Sequence, residues 1–177
     1  MKDRFLVFIP AYNCEKQVPR VLEQLLDPRV ADFVTECIVV NNRATDGTED
    51  AVRGWMAAHP AAPVRLLRND KNYGLGGSHK VAFGYAAAHG FDYVVVLHGD
   101  DQGDIRDLLP LIGSGAYKNY DCCLGSRFMK GSKTGGYTDY AHGYMVAYSK
   151  WHESLGIPDE REGAVKAFFE RGDGEIE

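Results

Sequence analysis

Dense positive charge is the first thing this chain lacks. Its 20 Lys and Arg stand against 25 Asp and Glu, a formal net charge of −5, so the electrostatic footprint of a nucleic-acid-binding protein is missing. Arg127, Lys130 and Lys133 form the nearest thing to a basic cluster, and they are too sparse to change that. No apolar run approaches the roughly 20 residues that span a bilayer, and no signal-peptide core precedes a cleavage site. Cysteine is scarce. Cys14, Cys37, Cys122 and Cys123 show neither CxxC spacing nor a disulfide framework, which makes a reducing cytoplasm the default. Cys122 and Cys123 are neighbours in a strand-like run and would point to opposite faces, against joint metal ligation. A Gly-x-x-x-x-Gly-Lys-Ser/Thr loop is absent, which argues against a P-loop NTPase, and the one glycine-rich segment departs from Gly-x-Gly-x-x-Gly at His79. Repeats and low-complexity linkers are absent too. What remains is a chain of 177 residues, 45% hydrophobic and 25% charged, the profile of one globular domain with a sizeable core.

Strand-like runs recur at 5–9, 36–40, 64–67, 93–97 and 121–124, with helical patterns between them. A spacing of about 30 residues per unit is that of βαβ crossovers in a parallel sheet. The helices are expected at 15–26, 48–59, 78–89 and 105–112. The third carries Val81, Ala82, Tyr85 and Ala86 inward and stops at Gly90. Beyond Phe128 the pattern loosens into a Gly-, Lys-, Thr- and Tyr-rich loop, followed by one amphipathic helix over 164–171. The expected division is therefore a core at 1–128 and, within the same domain, a loop and helical tail at 129–177.

The richest segment is Val94-Val95-Val96-Leu97-His98-Gly99-Asp100-Asp101-Gln102, a β-branched run that stops at adjacent carboxylates. Such a run reads as a central strand buried on both faces, so its end lies at the carboxyl edge of the sheet, where open α/β folds bind ligands. Two carboxylates there suit Mg²⁺ or Mn²⁺, which share oxygen ligands with substrate phosphates. The plainer account makes Asp101 and Asp104 helix caps and Asp100 a turn residue. Three further segments reach the same edge. Pro10 forces the first strand out of its ladder and leaves Tyr12 and Asn13 where a base or ribose can lie. Asn41 and Asn42 follow the second strand and can hydrogen-bond a heterocycle. Asn72-Tyr73-Gly74-Leu75-Gly76-Gly77-Ser78 opens a helix whose free N–H groups suit a phosphate, with Lys80 adding charge. Capped turns and tight helix packing are the bland alternatives for all three.

Taken in order, Ile-Pro-Ala-Tyr-Asn, Val-Val-x-x-x-x-Thr-Asp-Gly-Thr, Asn-x-Gly-Leu-Gly-Gly, the acidic strand end with Gln102, and Leu124-Gly125-Ser126-Arg127-Phe128 resemble the family 2 glycosyltransferases. Within that family they look most like the dolichyl- and polyprenyl-phosphate sugar synthases. The resemblance covers about residues 5–137. It implies an α/β, GT-A (Rossmann-like) single domain with a mostly parallel central sheet flanked by helices, and a sugar moved from a nucleoside diphosphate to an acceptor with inversion. It places Pro10, Ala11, Tyr12, Asn13, Glu15, Asn41, Asn42, Asp46, Asn72, Gly74, Gly77, Lys80 and Gln102 around the donor. The family's Asp-x-Asp metal motif aligns with His98-Gly99-Asp100. Asp100 is thereby the principal ligand, His98 or Asp101 a second, and the cofactor Mn²⁺ or Mg²⁺. Asp100, Asp101 and Arg127 are the implied catalytic group. Asn41 and Asn42 stand where relatives offer a carboxylate to the base, which changes the hydrogen-bonding available there.

The acceptor implied is a polyprenyl phosphate at a membrane surface or another glycan or lipid. The protein is expected to be cytoplasmic or peripheral at the membrane, and a homodimer is one way to cover an exposed edge. Relatives continue with further helices beyond the Gly-Ser-Arg strand, so the chain reads as C-terminally shortened. Two other functions compete: a non-catalytic or partner-dependent nucleotide-sugar-binding domain, and a nucleotidyltransferase. The latter typically favours a basic, Gly-rich loop after the first strand, where this chain has Pro-Ala-Tyr-Asn.

Overall fold

The structure, a computed structural model, describes residues 2–125 and the backbone of 146–148. Four parallel strands form its centre: β1 (Phe5–Ala11), β2 (Val34–Asn41), β3 (Val64–Arg68) and β4 (Tyr93–Val96). Two short strands, β5 (Cys122–Leu124) and β6 (Val146–Tyr148), extend the sheet to the order β3-β2-β1-β4-β6-β5. β6 runs antiparallel to both β4 and β5, so β5 lies parallel to the central four without pairing with them.

Of these four, β1, β4 and the second half of β2 from Cys37 on are buried on both faces, as their apolar runs require. Alternation sorts their side chains into two cores. Phe5, Val7 and Ile9 join Cys37, Val39, Tyr93 and Val95 on one face, while Leu6, Phe8, Ile38, Val40, Val94 and Val96 occupy the other. The first face is covered by α1 (Val18–Glu23), α2 (Pro28–Phe33) and α3 (Thr48–Ala58), which contribute Val21, Leu22, Phe33, Val52 and Trp55. A 3₁₀ turn over Ile105–Leu108 and α5 (Leu109–Ser114) follow β4 on this same side. The second face is covered by α4 (Gly74–Ala88) through Ala82, Phe83 and Ala86. Fully burying a side chain such as Leu6, Phe8 or Ile9 contributes about 1.5–3 kcal/mol, so this central trio anchors the domain.

The chain runs β1, β2, β3 toward one edge and returns through α4 to place β4 on the other side of β1. The strand order therefore reverses between β1 and β4, and the crevice at the carboxyl end of such a reversal is the usual ligand site of an open α/β sheet.

Several local expectations shift. α1 ends at Glu23 and tightens into a 3₁₀ turn over Gln24–Leu26. α2 was not foreseen; Asp27 caps it by accepting from the Arg29 N–H, with Pro28 at its first position. α4 begins a turn early, at Gly74. Val81 is exposed rather than inward, and Phe83 takes the buried position.

Candidate functional site

A cleft of about 360 Å³ opens at the β1–β4 reversal. Its lining comes from the end of β1 (Pro10, Ala11, Tyr12, Cys14), the end of β2 (Asn42), the start of α4 (Asn72, Gly74, Leu75, Ser78) and the end of β4 (His98, Gly99, Asp100).

The alternation of β4 explains its last wall. Leu97 points into the core beneath α1, so His98 continues the side of Val94 and Val96, facing α4. Gly99 lies between them against β1: its N–H donates to the Pro10 carbonyl at 3.2 Å. A Cβ there would sit 2.9 Å from that carbonyl oxygen and 3.2 Å from the Cys14 sulfur. Only glycine lets the two strand ends approach this closely.

The same parity separates the two asparagines. Asn41 is buried toward α3, where its Nδ2 donates to Glu49 at 2.9 Å and its Oδ1 accepts from the Ala44 N–H at 2.8 Å. Asn42 turns toward α4. Its Oδ1 accepts from Asn69 Nδ2 and from the Tyr73 N–H, both at 2.9 Å, and its Nδ2 donates to Asn72 Oδ1 at 2.8 Å. Asn72 Oδ1 in turn accepts from the Gly74 N–H at 2.8 Å. The backbone donors fix the orientation of both amides, so Asn42 and Asn72 turn their carbonyl oxygens to the protein and leave one N–H of Asn42 and the amide nitrogen of Asn72 as their remaining donors.

The expected donor contacts Asn13, Glu15 and Asp46 lace two loops together. Asn13, at φ 50°, accepts from the Thr45 N–H at 2.8 Å. Glu15 accepts from the Gly47 N–H at 2.7 Å, and Asp46 accepts from the Glu15 N–H at 3.2 Å. Buried Thr48 completes the lacing, its hydroxyl accepting from the Cys14 N–H and donating to Asp46. Burial alone would raise the Asp46 pKa, but the hydrogen bonds from Thr48 and the backbone outweigh it and hold the carboxyl below its ordinary value.

His98 is kept neutral by burial, which lowers its pKa against the opposing pull of Asp100. Burial lowers that of His79 as well, with His98 adding to the shift. His79 sits edge-on to Phe8, their ring centroids 5.2 Å apart, and is half-buried. A neutral imidazole and a carboxylate, two residues apart and lining one cleft, are a chemically suitable pair for a divalent cation. Among the described residues no group of three or more such ligands converges, so remaining coordination would fall to water and substrate oxygens, the usual habit of Mg²⁺ sites.

Asp101 lies apart from that pair. It adopts φ 63° and its carboxylate accepts from Arg20 Nε at 2.6 Å, and it does not line the cleft. Gly77, Lys80 and Gln102 are also outside the lining. Gly77 is fixed by packing, since a Cβ there would collide with the Tyr73 side chain. Gln102 sits beside the site, its N–H donating to Asp100 Oδ1 at 3.2 Å, and Lys80 is exposed on α4. Arg127 lies outside the described residues. Cys14, Leu75 and Ser78 line the cleft without having been named as donor contacts, although Leu75 and Ser78 belong to the segment expected at this edge; α4 starts at Gly74 rather than Ser78, which sets Ser78 at the beginning of its second turn.

Comparison with known proteins agrees with this architecture. The sequence model of glycosyl transferase family 2 matches residues 6–169. A dolichyl-phosphate beta-glucosyltransferase of Drosophila melanogaster is 33% identical over 90 residues, covering 48% of this chain and 27% of the fly protein. Chondroitin synthase of Escherichia coli is 33% identical over 95 residues, covering 54% of this chain and 13% of that protein. A mannosyltransferase from Pyrobaculum calidifontis, solved in complex with GDP-Man and Mn²⁺, superposes with a TM-score of 0.62 at 23% identity, over 84% of this chain and 45% of its own. That superposition shows a shared GT-A fold. The chain thus spans half or less of the length of each of these proteins.

Proposed function

The chain belongs to glycosyl transferase family 2, and from that premise we propose that it moves a sugar from a nucleoside diphosphate to an acceptor, with a divalent cation and with inversion. The observation that carries this is the meeting of His98 and Asp100 with the first turn of α4 across one cleft at the strand-order reversal. Tyr12, half exposed at the mouth, offers a ring face to a base, and the amide nitrogens of Asn42 and Asn72 offer donors to carbonyl oxygens. The N-terminus of α4, whose Gly74 and Leu75 line the cleft, gives the diphosphate positive potential and the N–H groups of the first turn after Gly74, whose own N–H is taken by Asn72.

Asp100 and His98 would hold Mn²⁺ or Mg²⁺, which offsets negative charge on the departing nucleoside diphosphate. The acceptor oxygen attacks the anomeric carbon as the bond from that carbon to the diphosphate oxygen breaks, and the electron pair leaves with the diphosphate. Asp100 is the one carboxylate among the described residues that line the cleft. An acceptor that is already an oxyanion needs no general base, which favours a polyprenyl phosphate over a sugar hydroxyl. The similarity to the dolichyl-phosphate enzyme supports the same choice. No helix among the described residues is long and apolar enough to cross a membrane, so the lipid phosphate would be met at a membrane surface.

The test is incubation of the protein with UDP-, GDP- and dTDP-sugars, Mn²⁺ and a detergent-dispersed polyprenyl phosphate, following released nucleoside diphosphate and glycolipid. Transfer that EDTA abolishes and Asp100→Ala reduces by 100-fold or more, about 2.7 kcal/mol of transition-state stabilisation, is expected. Metal-dependent binding of the nucleotide without turnover on any acceptor would favour the non-catalytic binding domain instead.

A further inference from the structure

Resting on the reading of the cleft as a metal–diphosphate site, we propose that Arg20 and Gln24 form a clamp that positions Asp100, and that Asp101 serves this clamp as a positioning residue rather than as a metal ligand. The two side chains stand one turn apart on the continuous helical stretch formed by α1 and its 3₁₀ extension. Arg20 Nε donates to Asp101 at 2.6 Å, and Arg20 Nη1 is tied back to the Lys16 carbonyl at 2.7 Å. Gln24 uses both ends of its amide: Nε2 donates to the Gly103 carbonyl at 3.2 Å, and Oε1 accepts from the Ile105 N–H at 2.9 Å. The segment 101–105 is thus held at three points from one helical stretch.

The clamp answers a conformational problem. Asp101 sits at φ 63°, a left-handed conformation that a non-glycine residue leaves readily unless its surroundings hold it. Were Asp101 to relax to negative φ, the peptide that follows Asp100 would turn. The Asp100 carboxylate would then lose the Gln102 N–H that now orients it. α1 also begins one turn after the Pro10–Cys14 wall of the cleft, its Val18 N–H donating to the Cys14 carbonyl at 2.9 Å, so one short helix fixes the nucleotide side and the acidic side relative to each other.

A ligand and a positioning residue respond differently to the same loss of carboxylate. Mn²⁺ binding is read by electron paramagnetic resonance of the free ion, with UDP or GDP present, whichever the protein takes more tightly. Asp101→Gly, which enters positive φ about as readily as negative φ, is expected to keep Mn²⁺ affinity within about two-fold, because about half of the molecules or more would hold the competent loop. Asp101→Ala and Arg20→Met are expected to lose about ten-fold, since only about a tenth of the molecules would hold the competent loop. Arg20→Met/Asp101→Gly should recover the loss, and melting temperatures should not track these affinities. Equal losses in Asp101→Gly and Asp101→Ala would make Asp101 a ligand and overturn the proposal, as would unchanged affinity in both Asp101→Ala and Arg20→Met. If Asp100→Ala binds Mn²⁺ like the parent protein, the metal-site reading itself fails and the clamp falls with it. If Asp100→Ala loses binding while the clamp variants do not, the clamp alone fails.

Discussion

Replacing Gly99 by Ala adds one methyl group at the point where β1 and β4 converge on the cleft, and its effect can be worked from opposing terms. The backbone at Gly99 has no positive φ, so alanine is conformationally allowed and gains about 0.4–1 kcal/mol by restricting the unfolded chain. Against this, the new Cβ would stand 2.9 Å from the Pro10 carbonyl oxygen, 3.2 Å from Cys14 Sγ and 3.4 Å from Ile9 Cγ2. The nearest of these is backbone in a parallel ladder and cannot swing aside. Overpacking of this kind costs about 1–3 kcal/mol, and stretching the Gly99–Pro10 hydrogen bond costs about 0.5–1.5 kcal/mol more. The net expectation is a loss of about 2 kcal/mol, a melting temperature lower by about 4–8 °C for a chain of this size. Relief requires β1 and β4 to part at the cleft, so metal-dependent nucleotide binding should weaken as well. Urea denaturation read by tryptophan fluorescence and calorimetric titration with nucleotide and Mn²⁺ measure the two effects. A variant as stable as the parent, binding nucleotide unchanged, would refute the close approach of the strand ends.

Three further outcomes follow from the same geometry. The lowered pKa values of His79 and His98 mean that both are neutral when folded but take up protons when unfolded; stability is complete above the ordinary value of 6.5 and falls as pH drops through it. Urea midpoints should therefore decline from about pH 7.5 to about pH 5.5, and His79→Gln/His98→Asn should flatten that decline; a parent protein with no slope in this window contradicts the burial. Thr48→Val removes the acceptor for the Cys14 N–H and the donor to Asp46 and should cost about 1–3 kcal/mol in urea denaturation, with a neutral result excluding the loop lacing. Asn42→Asp sets a carboxylate oxygen against Asn72 Oδ1, where a hydrogen bond of 2.8 Å now runs. A loss of about 1–3 kcal/mol near neutral pH is expected by the same assay, and unchanged stability would show that the amide network is not needed.

The central strands were legible because β1, β2 and β4 are β-branched or aromatic on both faces, a pattern few other environments produce. Their order in space was legible only as a parallel crossover fold. β6 was not foreseen, since three residues give too short a period to read, and it separates β5 from β4. α2 escaped for the same reason, although Asp27-Pro28 is a good helix start in hindsight. The cleft residues at the strand ends, Pro10, Tyr12, Asn42, His98 and Asp100, were reachable from sequence because the end of a buried strand is itself a location. Asn13, Glu15 and Asp46 were grouped with them, yet they turn their carbonyl and carboxylate oxygens to backbone N–H groups about thirty residues away. Asp101 shows the limit most clearly. Its neighbour Asp100 lines the cleft, but Arg20, which occupies the Asp101 carboxylate, lies 81 positions earlier, and neither the ion pair nor the left-handed backbone has a local signature.

The most direct measurement is calorimetric titration of the protein with UDP, GDP and dTDP, each with Mn²⁺ and again with EDTA, repeated for Asp100→Ala. Binding of at least one nucleotide that requires Mn²⁺ and is lost in Asp100→Ala is the expected result. No binding of any of the three, or binding indifferent to both the metal and Asp100, would contradict a metal-assisted donor site in the cleft between β1, β4 and α4.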